Sequence, residues 1–126
     1  MGRRIKVKVG AVEVYGELHE TETADLIWNA LPIESHISTW GHEIYFPIPL
    51  HVELEDSAQE VVELGDMGYW PPGNAFCIFF GPTPNSQGDE IRPASPVNVF
   101  GKVVGDTKIL KTLKPGVSVL VVDEEG

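Results

Sequence analysis

The sequence predicts a mainly β protein: a closed barrel of about eight strands with one or two short helices capping its ends. Three observations point there. From Ile5 onward, short apolar runs alternate with polar residues at a period of two, as strands with one buried face require. Only two stretches carry a helical pattern, one around Ala24 and one around Leu110. The run Phe76-Cys-Ile-Phe-Phe80 holds no polar residue, which fits a strand covered on both faces. Many short strands with so little helix close best into a barrel, because closure removes the free sheet edges.

Taken in order, Ile5, Val7 and Val9 alternate with Lys6 and Lys8, and Val12, Val14 and Gly16 with Glu13 and Tyr15. A hairpin is expected, with Gly10 supplying the positive φ of a two-residue type II′ turn. In 21–32, Ala24, Ile27, Trp28 and Leu31 fall at i, i+3, i+4 and i+7. That is one helix face with Trp28 in the core, Thr21 or Thr23 as N-cap, acids in the first turn and Pro32 as the stop. From Ile33 to Leu54 the apolar pattern continues but is broken by Gly41, Pro47 and Pro49. Strands there must bulge or run along an edge, since each proline removes a ladder donor.

Ser57 to Glu60 has capping-box spacing, but the apolar run behind it ends at Gly65, leaving room for a turn only. Residues 82–96, with four prolines, form a long irregular loop, and loops of that length are usually functional or mobile. Val97 to Val104 is a strand. Asp106 then caps a short helix carrying Ile109, Leu110 and Leu113, which Pro115-Gly116 ends. Val117 to Val122 is the last strand, and the acidic end after it is expected to fray.

A chain of 126 residues is the size of one domain, assigned here to 1–126. With 9 Lys plus Arg against 19 Asp plus Glu, the net charge of -10 repels phosphate backbones and anionic membrane surfaces. Neither nucleic acid nor membrane is an expected partner. Cys77 is the only cysteine, so no intrachain disulfide or thiolate zinc cluster is available. The alternation suggests that Cys77 points into the barrel, where an apolar setting makes a thiol inert. No apolar run approaches the roughly 20 residues that cross a bilayer, and a cytoplasmic location is expected.

No cofactor motif is present, and no cofactor is expected. His36, His42 and His51, with Glu43 nearby, match no helical or strand ligand spacing, so no metal is assigned to them. Glu60, Glu63 and Asp66 form an acidic run of the kind that can supply a general acid and base. On a chain this acidic, solvated surface carboxylates are the default.

The order of Phe76-Cys-Ile-Phe-Phe80, a loop, Val97-Asn-Val-Phe-Gly-Lys-Val-Val104 and a short helix is similar to the second half of cyclophilins. Three segments resemble more closely the small prokaryotic cyclophilin-like proteins of unknown function: Thr39-Trp-Gly-His-Glu-Ile-Tyr-Phe46, Gly65-Asp-Met-Gly-Tyr-Trp-Pro-Pro-Gly73 and Phe79-Phe-Gly-Pro-Thr-Pro84. That second resemblance covers almost the whole chain.

True cyclophilins set an arginine guanidinium beside the imide nitrogen of an X-Pro bond, on an apolar floor walled by a tryptophan and a histidine. A donor aimed at that nitrogen weakens the amide resonance behind a barrier of ~18–20 kcal/mol. The strand that should hold the arginine corresponds best to Ile44-Tyr45-Phe46, which has none. The family's histidine falls at Val97, its tryptophan near Arg92, its glutamine on Phe76 and its pocket phenylalanine on Ile78. The resemblance thus implies an apolar floor kept and a catalytic charge lost, with no catalytic residue assigned.

The expected function is a binding module. Its cleft is expected to comprise Tyr45, Phe46, Tyr69, Trp70, Phe76 and Ile78, with Arg92 folding in from the loop, and to hold a proline-containing peptide or small apolar ligand. The bland alternative is that Tyr69 and Trp70 plug the barrel rim; the same two readings apply to Trp40 and Tyr45, although Trp40-Gly41 reads more as a structural corner. Two enzyme-linked alternatives follow from the resemblance: a weak peptidyl-prolyl isomerase using Arg92 as substitute donor, and a subunit of a larger amide-metabolising assembly. The sequence leaves the oligomeric state open.

Overall fold

The computed structural model describes residues 3–125. Strands β1 (Arg3–Val9) and β2 (Val12–Leu18) form the expected hairpin, with Val9 opposite Val12 and Gly10 at φ 59° in the two-residue turn. Helix α1 (Glu22–Ala30) follows. Thr21 Oγ1 accepts from the Ala24 N–H at 3.1 Å, so Thr21 is the N-cap, while Thr23 is buried and bonded elsewhere. The other strands are β3 (Ile33–His36), β4 (Ser38–Thr39), β5 (Glu43–Pro47), β6 (Asp66–Trp70), β7 (Ala75–Phe79), β8 (Asn98–Val104) and β9 (Ser118–Asp123). The sheet has nine strands where about eight were expected. The segment 33–39 breaks at Ile37 into two short pieces.

All pairings are antiparallel, in the order β3-β9-β1-β2-β8-β6-β7-β5-β4. The two ends of that order, β3 and β4, are neighbours in the chain with only Ile37 between them. The sheet therefore curls round into a nearly closed barrel. Across the seam, Ser35 Oγ donates to the Pro47 carbonyl at 2.8 Å.

Alternate side chains of each strand fill the barrel. Ile5, Val7 and Val9 meet Val119, Val121, Ile44, Phe46, Met67, Tyr69, Phe76, Ile78 and Phe100 in one interior cluster. Phe76 stacks on Phe46 with centroids 4.7 Å apart and meets Phe100 edge-on at 4.9 Å. Ala24 and Ile27 of α1 and Leu110 join the same cluster. Trp28 packs against this cluster, as its helix face predicts, but is only half-buried and lies beneath Arg3, whose guanidinium carbon is 5.4 Å from the ring centroid. The short helix after Asp106 is a 3₁₀ turn, Lys108–Thr112, with Asp106 Oδ1 accepting from the Lys108 N–H at 2.9 Å. Its Leu110 is buried and its Ile109 exposed, because so short a turn presents one side chain inward. The chain end is paired further than expected, since β9 runs through Asp123 and the Glu124 N–H reaches the Arg4 carbonyl at 3.0 Å.

A second, smaller cluster lies on the outer face of the sheet. Val62, Ala75, Cys77, Phe79, Ile91 and Val97 pack there beneath the 82–96 loop. β7 is thus buried on both faces, as its unbroken apolar sequence predicts. Cys77, however, belongs to the outer cluster and not to the barrel interior. Strand alternation that turns Phe76 and Ile78 inward must turn Cys77 out. A β-bulge contributes to this face as well. Met67 pairs with Gly101 and Gly68 with Val99, so Phe100 is the extra residue and Val99 packs on the outer cluster.

The loop itself is irregular but tied down. Gln59 and Val97 exchange two backbone hydrogen bonds at 2.9 and 3.0 Å, the Val62 N–H reaches the Ile91 carbonyl at 2.9 Å, and the Thr83 hydroxyl donates to the Arg92 carbonyl. Among the described residues, no helix is long and apolar enough to cross a membrane.

Candidate functional site

β6, β7 and β5 lie side by side, and alternation sorts their side chains onto two faces. Phe46, Tyr69, Phe76 and Ile78 point into the barrel and are completely buried. Tyr45 and Trp70 point outward and are half-buried. Between them runs β7, whose outward Ala75 and Cys77 are small. The result is a cleft of about 220 Å³ lined by Trp40, Glu43, Tyr45, Trp70 and Ala94.

The rings are held from outside the cleft. Trp70 Nε1–H donates to Ser95 Oγ at 2.7 Å, and Gly73 in the 3₁₀ turn Pro71–Gly73 supports the indole. A Cβ on Gly73 would lie 2.9 Å from ring atoms Cε3 and Cζ3, so only glycine lets the turn fold against that face. Trp40 is set by a tight turn in which its N–H reaches the Glu43 carbonyl at 2.9 Å, with Gly41 at φ 62°. The His42 N–H then bonds the Pro82 carbonyl at 2.9 Å, joining this turn to the start of the long loop. Trp40-Gly41 is a corner, as expected, and its indole also faces the cleft.

The expected site therefore divides. The structure brings Tyr45 and Trp70 together and removes Phe46, Tyr69, Phe76 and Ile78 to the interior. The physical reason is parity: Tyr45 and Phe46, like Tyr69 and Trp70, are strand neighbours and cannot share a face. Tyr69 instead ties the rim, its hydroxyl donating to the Leu50 carbonyl at 2.7 Å and accepting from the Val52 N–H at 3.1 Å.

Arg92 does not reach the cleft. Its guanidinium is gripped by Glu90 at 2.8 and 3.3 Å and lies 3.9 Å from Glu60. That pairing lowers the Glu90 pKa and raises that of Arg92.

The acidic run is likewise engaged elsewhere. Lys102 Nζ lies 2.8 Å from Glu63 and 3.7 Å from Asp66, and the Lys102 hydrogen bond and charge lower the Glu63 pKa. The histidines are dispersed: His42 stacks on Phe80 at 5.6 Å, His51 bonds Asn74 at 2.8 Å and Glu53 at 2.6 Å, and His36 ends β3. Among the described residues, no group of three metal-ligating side chains gathers.

Glu43 and Ala94 are the lining residues that sequence reasoning missed, while Trp40 joins them from a position that reads rather as a corner. One signal was present for Glu43: it stands two residues before Tyr45 on the same strand, and so on the same face. Its side chain is only 6% exposed. Burial pushes its pKa from 4.5 up to about 7, partly offset by hydrogen bonding with the neighbouring Cys77 thiol. Burial in turn, reinforced by the charge of Glu43, pushes the Cys77 thiol well above its ordinary range. Among the described residues, no cation pairs with Glu43.

A pH dependence of stability follows. Between the unfolded value of 4.5 and the folded value of about 7, the native state holds a proton on Glu43 that the unfolded chain has released. The stability contribution is complete below about 4.5 and gone above about 7. It amounts to about 3 kcal/mol, since each tenfold change in an acid's ionisation constant on folding is worth about 1.4 kcal/mol. Urea unfolding midpoints are expected to fall as pH rises through that window, and Glu43→Gln is expected to flatten this trend. An unchanged trend in the variant would assign it to another group.

A family model described as Cyclophilin-like matches residues 3–122. The chain is also similar to the solution structure of the hypothetical protein AF2241 from Archaeoglobus fulgidus, with 45% sequence identity and a TM-score of 0.83. That match covers 96% of this chain and 94% of the other. No curated protein matches the chain.

Proposed function

The chain belongs to the cyclophilin-like family, and from that premise we propose that it is a binding module whose ligand sits between Tyr45 and Trp70, against Trp40 and Ala94. The observation that carries this reading is the fixed indole of Trp70. It is bonded at Nε1 to Ser95 and packed closely by Gly73, and it lines the cleft. A ring already held in place loses little freedom when a ligand arrives. At about 220 Å³ the cleft is smaller than the ~300–1,000 Å³ of drug-sized sites, so the occupant is a single ring or short branched group. The prolyl side chain of a peptide and a free small molecule both meet that limit.

The pairing of Arg92 with Glu90 counts against the weak isomerase reading, because it occupies the one loop arginine available to replace the missing donor. In a protease-coupled tetrapeptide assay, the expected rate equals that of the uncatalysed isomerisation.

Chemical-shift mapping with proline-containing peptides and a small-molecule library tests the binding reading. Shifts are expected to concentrate on Trp40, Tyr45, Trp70 and Ala94 and to vanish in Trp70→Ala. Shifts scattered away from these residues would overturn it.

A further inference from the structure

Building on the reading that this cleft binds a ligand, we propose that the ligand is a small organic cation: an ammonium group with an apolar body, received by the rings of Trp40, Tyr45 and Trp70 and balanced by the carboxylate of Glu43. Three aromatic side chains line one hollow, and the face of each ring carries the negative end of its quadrupole. A positive group set among such faces is attracted most strongly where water is displaced. Among the described residues, Glu43 is the only charged one lining the same hollow.

A buried carboxylate without a counter-charge is unfavourable, and this one has no cationic partner among the described residues. The arginine of the covering loop, Arg92, is already held by Glu90. A cationic ligand completes the pair that the chain leaves open. An anion would meet Glu43 directly, on a protein whose net charge is -10.

The choice of ligand sets the pH behaviour. Glu43 interacts with Cys77 of β7, pairs across the strands with Phe79, and shares the lining of the hollow with Tyr45 of its own strand, Trp40 of the preceding turn, Trp70 of β6 and Ala94 of the loop. Cys77 and Tyr45 are the titratable ones, and none of the set carries a positive charge. A cation binds the ionised carboxylate, so its affinity rises as pH rises through about 7. A neutral amide, accepting a hydrogen bond from the protonated acid, shows the opposite trend.

The test is a titration of the whole chain, followed by amide and indole chemical shifts, with three probes: choline, its uncharged isostere in which a quaternary carbon replaces the ammonium nitrogen, and N-methylacetamide. Choline is expected to bind about tenfold more tightly than the isostere, with shifts on Trp40, Tyr45 and Trp70 and with affinity rising with pH. Glu43→Gln is expected to remove most of that preference and the pH trend, its amide spectrum reporting an intact fold. If that variant does not fold, the comparison of choline with the isostere in the unaltered chain decides. Equal affinities at the same three rings would overturn the cation inference and leave the binding reading standing, as would tighter amide binding at low pH. No shift at the rings with any of the three probes would overturn the cation inference, and the peptide and library mapping then decides the binding reading separately.

Discussion

Phe76→Ala is expected to lower the free energy of unfolding by about 3–5 kcal/mol, the range for a buried phenylalanine truncated in a rigid core. Phe76 is completely buried, stacked on Phe46 at 4.7 Å and met by the edge of Phe100 at 4.9 Å. Its strand is paired on both sides, to β5 and to β6, so the backbone cannot settle into the space the ring leaves. For a domain whose total stability is about 5–15 kcal/mol, the loss is a large share. Urea denaturation is expected to show a lowered midpoint with an unchanged slope. The experiment also separates two roles. A cleft residue would lose ligand affinity on truncation and little stability, so a loss under about 1 kcal/mol would move Phe76 out of the core.

Asn98→Leu is expected to cost about 3–4 kcal/mol although leucine keeps the number and branching of side-chain heavy atoms, because buried polar groups lose their partners. Asn98 is 1% exposed. Its Nδ2 donates to Thr23 Oγ1 at 3.1 Å and the Glu53 carbonyl at 3.0 Å, and its Oδ1 accepts from the Glu55 N–H at 2.7 Å. Thr23 in turn donates its N–H and hydroxyl to the Glu55 carboxylate. One side chain thus joins β8, the first turn of α1 and the irregular segment around Glu55. Denaturation gives the energy, and hydrogen exchange at the Glu55 amide gives the cause. An amide that stays protected in the variant would show that the network does not depend on Asn98.

The fold was legible where the pattern contrasts two faces. Ile5, Val7 and Val9 against Lys6 and Lys8 announce a strand, and Gly10 announces the turn that returns it. The helix was legible from Ala24 and Ile27 with Thr21 before them. The site was not, because its determinants are relational. In Phe76 to Phe80 every position is apolar, so alternation leaves two phases open, and the one that turns Cys77 inward is the wrong one. Tyr45 and Trp70 stand beside Phe46 and Tyr69, equally aromatic, and only the pairing of β5, β6 and β7 separates them. The bulge at Phe100 has no local mark, and it helps decide which face of β8 meets the loop. The spacing of Glu43 from Tyr45 gives its face, but its burial beside Cys77 arises only in space. Glu90 and Arg92, two residues apart and opposite in charge, were a pairing the sequence already displayed.

The break at Ile37 bears on how the molecule behaves in a crowd of its own copies. A sheet margin with unpaired amides invites a second chain to add on. Here that margin is divided into four residues of β3, unpaired on the side away from β9, and two residues of β4, unpaired on the side away from β5. Each piece is shorter than the roughly five or six residues of an ordinary strand, and the two open toward opposite neighbours. Edge-to-edge growth into fibrils therefore finds no continuous template on the folded barrel.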